Sequence, residues 1–366
     1  MTRILIAPNK YLQGSGAIHE IGRHASTLGS RALVTGGKRA LGATREAIES
    51  SLENAGMSAI VERFGGESSQ AEITRLMELS KRHSVDLVIA VGGGKVIDTS
   101  KAVAGDLRLP VVIVPTAAGS NAACSALAVI YTEGGVFENY KLLRANPNCV
   151  LVDTDVIAHS PVDALVAGMG DSLAAYWEAD TCYRSHKPNV LTGGTPPTEV
   201  AYMLSRLCYD TLLSSGLEAK FSIERKVVTP ALEKVIEAII LLSALGFESG
   251  GLAGSHSVHN GLTVLPQTHD FYHGQKVAFG ILTQMVMEGR PREQLNEVLN
   301  FCRSVGLPTS LKELGIINPT EEEIMKVAEA ATAEGETIHA TWFPVTTKMV
   351  YGALWAADAI GSATKS

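Results

Sequence analysis

Short runs of apolar, largely β-branched residues alternate with helical patterns along the first part of this chain and then stop. The runs are Arg31 to Thr35, Ala59 to Phe64, Asp86 to Val91, Val111 to Pro115 and Cys149 to Asp153. Such alternation implies βαβ units around a mostly parallel sheet. Between the runs lie helix-start signals, such as Ser69 followed by Glu72, a capping box opening a helix toward Arg82. Leu127 to Tyr131 and Tyr140 to Leu143 flank Thr132-Glu133-Gly134-Gly135, which reads as a β-hairpin. Beyond Pro161 the texture turns helical. Pro230 to Phe247 has Thr229 as N-cap, Pro230 at the first helical position and Gly250-Gly251 as terminator. The stretch Lys187 to Pro197 reads as a loop between helices, and residues 155 to 170 as the natural place for a cleft. A chain of 366 residues, 46% hydrophobic, has material for two cores, so the expected division is 1–160 (α/β) and 161–366 (all-helical).

The formal charge of −7 is spread along the sequence without a basic stripe, so nucleic acid is not an expected partner. The amino terminus MTRILIAPNKYLQG is too interrupted for a secretory signal, and no stretch reaches the roughly 18 apolar residues of a membrane span. Cys124, Cys149, Cys182, Cys208 and Cys302 are odd in number and far apart, and read as free, mostly buried thiols. A cytoplasmic protein with no membrane partner is the expectation.

Two segments carry chemistry. Asp86 to Ala104, DLVIAVGGGKVIDTSKAVA, is an apolar strand, consecutive glycines and a helix. Glycines admit a ligand close to the backbone, and the free amides and dipole of the helix attract an anion such as a pyrophosphate. The alternative is a turn that only links strand to helix. Gly14-Ser15-Gly16 with Gly22 mimics a dinucleotide fingerprint, but it lacks the third-glycine spacing and a good preceding strand, and reads as a turn.

The second segment is GSHSVHNGLTVLPQTHDFYHG, with His256, His259, His269 and His273. His256 and His259 share a helical face, and a loop can return His273 to a common point. Asp171, in GMGDSLAAYWEA, is the best acidic third ligand, with Gly168 and Gly170 marking a helix start that sets the carboxylate near backbone amides. Two histidines and a carboxylate leave one position open, as in a catalytic zinc site. The competing reading is that these are ordinary hydrogen-bonded histidines, and His269 is left with it.

Taken together, the segments GGGK-x-x-D (Gly92 to Asp98), SALAVIYTEGG (Ser125 to Gly135), AGMGDSLAAYWEA (Ala167 to Ala179), GFESGGLAGSHSVHNG (Gly246 to Gly261), YHGQKVAFG (Tyr272 to Gly280) and AEGETIH (Ala333 to His339) resemble the glycerol dehydrogenases of the iron-containing (group III) alcohol dehydrogenase superfamily, over essentially the whole chain. The resemblance implies an α/β N-terminal Rossmann-like domain plus an all-α C-terminal domain, the dehydroquinate synthase-like architecture. It implies zinc on Asp171, His256 and His273, with Ala175 standing where many iron-type relatives have a further histidine. It implies an NAD site of Gly93, Gly94, Lys95 and Asp98, with Thr116, Ser125, Leu127 and Tyr131 lining the groove. A small-molecule alcohol substrate and a homo-oligomer are further implications.

Two positions depart from the family pattern. Gly37, followed by Lys38 and Arg39, replaces an aspartate that bonds the adenosine ribose; its loss removes repulsion of a 2′-phosphate, so NADP is expected beside or instead of NAD. Asn121 replaces an aspartate that contacts the substrate hydroxyls; asparagine still bonds a diol but accepts no proton, so the substrate differs from glycerol, binds more weakly, or is unchanged. The implied reaction takes hydride from a small polyol to the nicotinamide, glycerol giving dihydroxyacetone, with His259 relaying a proton or orienting a water. The rival readings are a dehydroquinate synthase-like lyase, for which the helical half lacks a basic cluster near the histidines, and a degenerate nucleotide binder without turnover.

Overall fold

The computed structural model describes residues 2–363. The chain divides into two compact units: a sheet unit of Ile6–Val162 with Phe221–Ala244, and a helical unit of Asp163–Lys220 and Leu245 onward, joined by the first residues of the chain.

The sheet unit runs β1 (Tyr11–Gly14), α1 (Ile21–Ala25), β2 (Arg31–Gly36), α2 (Lys38–Asn54), β3 (Ser58–Arg63), α3 (Gln70–Arg82), β4 (Leu87–Gly92), α4 (Gly94–Leu107) and β5 (Val111–Pro115). The antiparallel hairpin β6 (Leu127–Tyr131) and β7 (Phe137–Leu142) follows, then β8 (Cys149–Asp153) and α5 (Thr154–Ala158). Six strands form one parallel sheet in the order β1-β8-β5-β4-β2-β3. Every residue of β4, β5 and β8 is buried, because a parallel sheet is covered on both faces and its strands are apolar throughout rather than alternating. Val34, Ile89, Val91, Val112, Val114 and Leu151 pack against Ile21, Ile48 and Leu52 of α1 and α2. Helix α4 packs on β4 and β5 through a flank that buries Val96, Ile97 and Val103.

Strand order positions the ligand crevice. β3 lies outside β2, whereas β4 returns to the other side of β2. The order therefore reverses between β2 and β4, and in doubly wound sheets the carboxyl ends of strands at such a switch point flank the binding crevice.

Helices α6 (Val162–Ser185), α7 (Glu199–Glu224) and α8 (Pro230–Glu237) come next; a π-helical turn over Ala238–Leu242 leads into α9 (Ser243–Gly250). Then come α10 (Gly254–Leu262), α11 (His273–Met287), α12 (Arg292–Val305), α13 (Glu321–Ala331) and α14 (Thr347–Ser362). The expected N-caps form: Ser69 accepts from the Glu72 amide at 3.3 Å and Thr229 from the Leu232 amide at 3.2 Å. The capping box expected at Ser69 is only half made, because the Glu72 carboxylate accepts from the Gly65 amide at 2.8 Å and from Arg75 instead.

Four other expectations change. Tyr11–Gly14 is a strand, paired with β8; at four residues, half-buried and without β-branched side chains, it carries no strand signature. The boundary expected at residue 160 lies at 162, and residues 221–244 belong with the sheet unit, where Gln13 donates to the Glu233 carbonyl at 2.9 Å and Thr154 to the Glu233 carboxylate at 3.3 Å. The helix expected over Pro230 to Phe247 is interrupted by the π turn and reaches Gly250. The second hairpin strand starts at Phe137 rather than Tyr140. All five cysteines are buried and none is in a disulfide, and among the described residues no single helix is long and apolar enough to cross a membrane.

Candidate active site

On the sheet unit, β4 ends at Gly92, whose φ of 154° and whose neighbour Val96, 3.1 Å from where a Cβ would stand, call for glycine. Gly93 then caps α4 with no side chain bonded to the helix amides, which leaves the amides of the first turn available to an anion. The Thr116 amide donates to the Gly92 carbonyl at 3.2 Å, tying the end of β5 to this turn. Lys95 at the helix start donates to Glu67 at 2.6 Å and lies 5.4 Å from the centre of the Tyr131 ring, and burial pushes the Tyr131 phenol up to about 12. Gly37 closes β2 on the other bank, with nothing within 4 Å of a Cβ built there and with Lys38 and Arg39 exposed beyond it.

The side chains of Asp98 and Ser125 face inward instead. Asp98 stands 3.0 Å from the Lys101 ammonium and accepts from the Val129 amide at 3.2 Å. Lys101 also donates to the carbonyls of Ala122 (2.8 Å), Ser125 (3.2 Å) and Leu127, and to the Ser125 hydroxyl (3.3 Å). This pair is a staple that fixes the 122–129 segment against α4, and burial raises the Asp98 pKa against the pull of Lys101. Asn121 donates to the Ser243 hydroxyl at 3.3 Å, within the same unit.

The helical unit brings Asp171 (α6), His256 (α10) and His273 (α11) together, their ligand atoms all within 4.8 Å of one another, the one such grouping among the described residues. His256 Nε2 lies 3.3 Å and His273 Nε2 3.4 Å from Asp171 Oδ1. Two atoms that share a tetrahedral zinc at about 2.0–2.1 Å stand about 3.3–3.4 Å apart, so the spacing fits an ion. Both Asp171 oxygens are buried and accept no hydrogen bond; the imidazole nitrogens stand at ion-pair distance only. Burial alone would raise the Asp171 pKa, but His273 and His256 hold it well below the usual carboxylate range. Ala175, one turn further along α6, is buried and supplies no fourth ligand.

Around the ligands lies a second tier. Glu178 accepts from His256 Nδ1 at 2.5 Å, from the His256 amide at 3.0 Å and from the Ala253 amide at 2.9 Å. Burial opposes the charge on His256, yet Glu178 and Asp171 together raise its pKa to about 10. His259 lies on α10 with His256, but its Nε2 meets His273 Nδ1 at 2.9 Å rather than the carboxylate. Burial, then the charge of His273, lowers its pKa well below the ordinary value. His269 bonds the Thr263 carbonyl at 3.0 Å, away from the cluster.

One expectation about the ligand fails in its local detail. Gly168 and Gly170 do not start a helix; α6 begins at Val162 and carries Asp171 in its interior. The glycines serve packing, since a Cβ on Gly170 would sit 2.4 Å from the Gly274 carbonyl and one on Gly274 only 1.8 Å from the Ala167 carbonyl. This close approach of α6 and α11 sets His273 beside Asp171. Glu178 was missed, although it follows Asp171 by two helical turns and so shares its face, a spacing visible in sequence. Glu67 was also missed, and it carries no sequence signal.

Residues 8–154 match the sequence profile of the family "Iron-containing alcohol dehydrogenase". The chain is 48% identical to a glycerol dehydrogenase of Thermotoga maritima, with all of both chains covered. It is 43% identical to a glycolaldehyde reductase of Halobacterium salinarum, over 99% of this chain and 98% of the relative. Among solved structures, a probable glycerol dehydrogenase from Sinorhizobium meliloti 1021 superposes with a TM-score of 0.93 at 41% identity, covering all of both chains.

Proposed function

The chain belongs to the glycerol dehydrogenases of the iron-containing alcohol dehydrogenase family, metal-dependent oxidoreductases that use NAD, and from that premise we propose that it oxidises glycerol, or a closely related vicinal diol, at a zinc site made by Asp171, His256 and His273. The observation that carries this reading is the Asp171 carboxylate, buried with both oxygens unbonded and faced by two imidazole nitrogens at the spacing of zinc ligands. A zinc ion there supplies Lewis acidity, which lowers the pKa of a hydroxyl toward neutral, and NAD supplies the hydride acceptor.

The chain's own residues do the rest. Glu178 keeps the His256 proton on Nδ1 and leaves Nε2 free. The amides of Gly94 and Lys95 at the uncapped start of α4 hold the pyrophosphate, and Lys95 turns from Glu67 toward it. Thr116, Leu127 and Tyr131 shape the groove, and Ser125, turned inward onto Lys101, belongs to the Asp98–Lys101 staple that holds the start of β6. Asn121 bonds a substrate hydroxyl without taking its proton.

Two finer readings follow from departures in the sequence. The open space at Gly37, with Lys38 and Arg39 beside it and Arg63 ending the neighbouring strand, favours acceptance of NADP as well as NAD. The neutral Asn121, bonded to Ser243, favours a substrate range shifted from glycerol. A cytoplasmic homo-oligomer completes the proposal.

The test is initial-rate reduction of NAD and NADP by zinc-loaded protein with glycerol, 1,2-propanediol and simple alcohols, before and after chelation. Diol oxidation lost on chelation and restored by zinc is the expected result. Diol turnover that survives removal of the metal overturns the zinc reading, and no turnover on any diol overturns the substrate class.

A further inference from the structure

A histidine that binds a metal through Nε2 must carry its own proton on Nδ1, and something must hold it there. For His256 one carboxylate does so. His273 has no carboxylate at Nδ1; that atom faces His259 Nε2 at 2.9 Å. His259 Nδ1 in turn lies 3.1 Å from Asn260 Oδ1, and Asn260 Nδ2 lies 3.1 Å from each oxygen of Glu336.

The direction of every bond in this chain is decided from its far end. A carboxylate only accepts, so Asn260 turns its NH2 to Glu336 and its carbonyl to His259. A carbonyl only accepts, so His259 Nδ1 donates. A neutral His259 then accepts at Nε2, and His273 Nδ1 donates to it, which leaves His273 Nε2 bare beside Asp171. The cationic alternative would have His259 donate from Nε2 and drive the His273 proton onto its own Nε2, where it blocks a metal.

We infer that Glu336 is a positioning residue for the metal centre, which sets the tautomer and ring orientation of His273 through Asn260 and His259. The segment that carries it is fastened to α10: Thr337 donates to the Ala253 carbonyl at 2.8 Å, and the Ile338 amide donates to the Ser257 hydroxyl at 2.8 Å. Asn260 stands between His259 and Glu336, and an amide passes no proton onward without leaving its stable form, so His259 locks His273 rather than relaying protons.

This inference rests on the zinc reading above, and the experiment separates the two. Zinc affinity is measured by competition with a fluorescent chelator for the intact chain, Asp171→Ala, Asn260→Leu, Glu336→Gln and the double variant Asn260→Asp with Glu336→Gln, together with the visible spectrum of the cobalt-loaded proteins. Asn260→Leu is expected to weaken zinc about tenfold to a hundredfold and alter the cobalt spectrum. Glu336→Gln alone costs less, because glutamine keeps one accepting oxygen. The double variant puts an acceptor at His259 and a donor at position 336, restores the order of donors and acceptors, and recovers most of the affinity.

Zinc affinity unchanged in Asn260→Leu overturns the inference, as does a double variant no better than Asn260→Leu. Should Asn260→Leu not fold, recovery in the double variant relative to Glu336→Gln decides it. Zinc binding absent from the intact chain, or unaffected by Asp171→Ala, overturns the zinc reading itself and this inference with it.

Discussion

Glu178 grips His256 at two points: its Oε2 accepts from the ring Nδ1 at 2.5 Å and its Oε1 from the same residue's backbone amide at 3.0 Å. A single buried carboxylate thus fixes both the place of the His256 ring and the nitrogen it turns toward Asp171. Glu178→Gln keeps the volume but sets an NH2 against one of these donors. Calorimetric titration with zinc is expected to show affinity down about tenfold to a hundredfold, and wild-type affinity in this variant would refute the role.

Gly274→Ala tests the helix approach. Its methyl would lie 1.8 Å from the Ala167 carbonyl and 2.9 Å from the Asp171 amide, so α11 must move away from α6 and carry His273 with it. Zinc affinity and diol oxidation should fall together, with the melting temperature lower by several degrees, consistent with overpacking at about 1–3 kcal/mol. Ordinary metal binding in this variant would show that the approach does not set the ligand geometry.

Lys101→Met leaves the Asp98 carboxylate buried without its cation and the carbonyls of Ala122, Ser125 and Leu127 without their donor. Breaking a buried pair costs about 3–5 kcal/mol, so the urea midpoint should drop sharply. Adding Asp98→Asn should return part of the loss, since the unpaired charge is then gone; a double variant no more stable than the single would locate the cost elsewhere.

Gly37→Asp meets no neighbour, and the backbone there (φ −69°, ψ 159°) suits any residue. Stability should change by only a few tenths of a kcal/mol, because aspartate and glycine both cap helices. The ratio of kcat/KM for NAD over NADP should rise at least about tenfold, as a carboxylate bonds the ribose and repels a 2′-phosphate. An unchanged ratio would mean that the residue at position 37 plays no part in cofactor choice.

Asp86 joins the starts of β2 and β4, accepting from the Ser30 amide and hydroxyl and from the Arg31 amide at 2.7 to 3.0 Å. Burial pushes its pKa up, but these donors outweigh it and hold the carboxyl below its ordinary value. A depressed folded pKa stabilises the protein fully above the unfolded value of about 3.9, and the gain disappears as pH falls through the lower folded value. Asp86→Asn should therefore be less stable than the parent by about 1–2 kcal/mol at pH 7, with the gap narrowing toward pH 3 in parallel urea titrations. A gap independent of pH would assign the effect to packing.

What the sequence disclosed depended on whether the signal was local. β5 and β8 stand at the residues read from their apolar runs, and Thr229 and Ser69 cap as their neighbours indicate, because strand burial and capping involve residues close in sequence. Tyr11–Gly14 was hidden because an edge strand takes its stability from β8, far along the chain. Gly170 looked like a helix start because glycine is a poor helix former; only its distance to Gly274 explains its place inside α6. His256 and His259 are alike in sequence, and only the structure separates them: His256 Nδ1 meets the Glu178 carboxylate and its Nε2 faces Asp171, whereas His259 Nδ1 meets Asn260 and its Nε2 meets His273.

Asp171, His256 and His273 come from three helices that meet only after long stretches of intervening chain. An ion bound to all three is a cross-link, closing one long loop and one short one that the unfolded chain leaves open. Because such an ion binds the folded state alone, its free concentration adds to the resistance of the helical unit to unfolding and proteolysis. Supply of the metal thereby governs how long each copy survives as well as how fast it works.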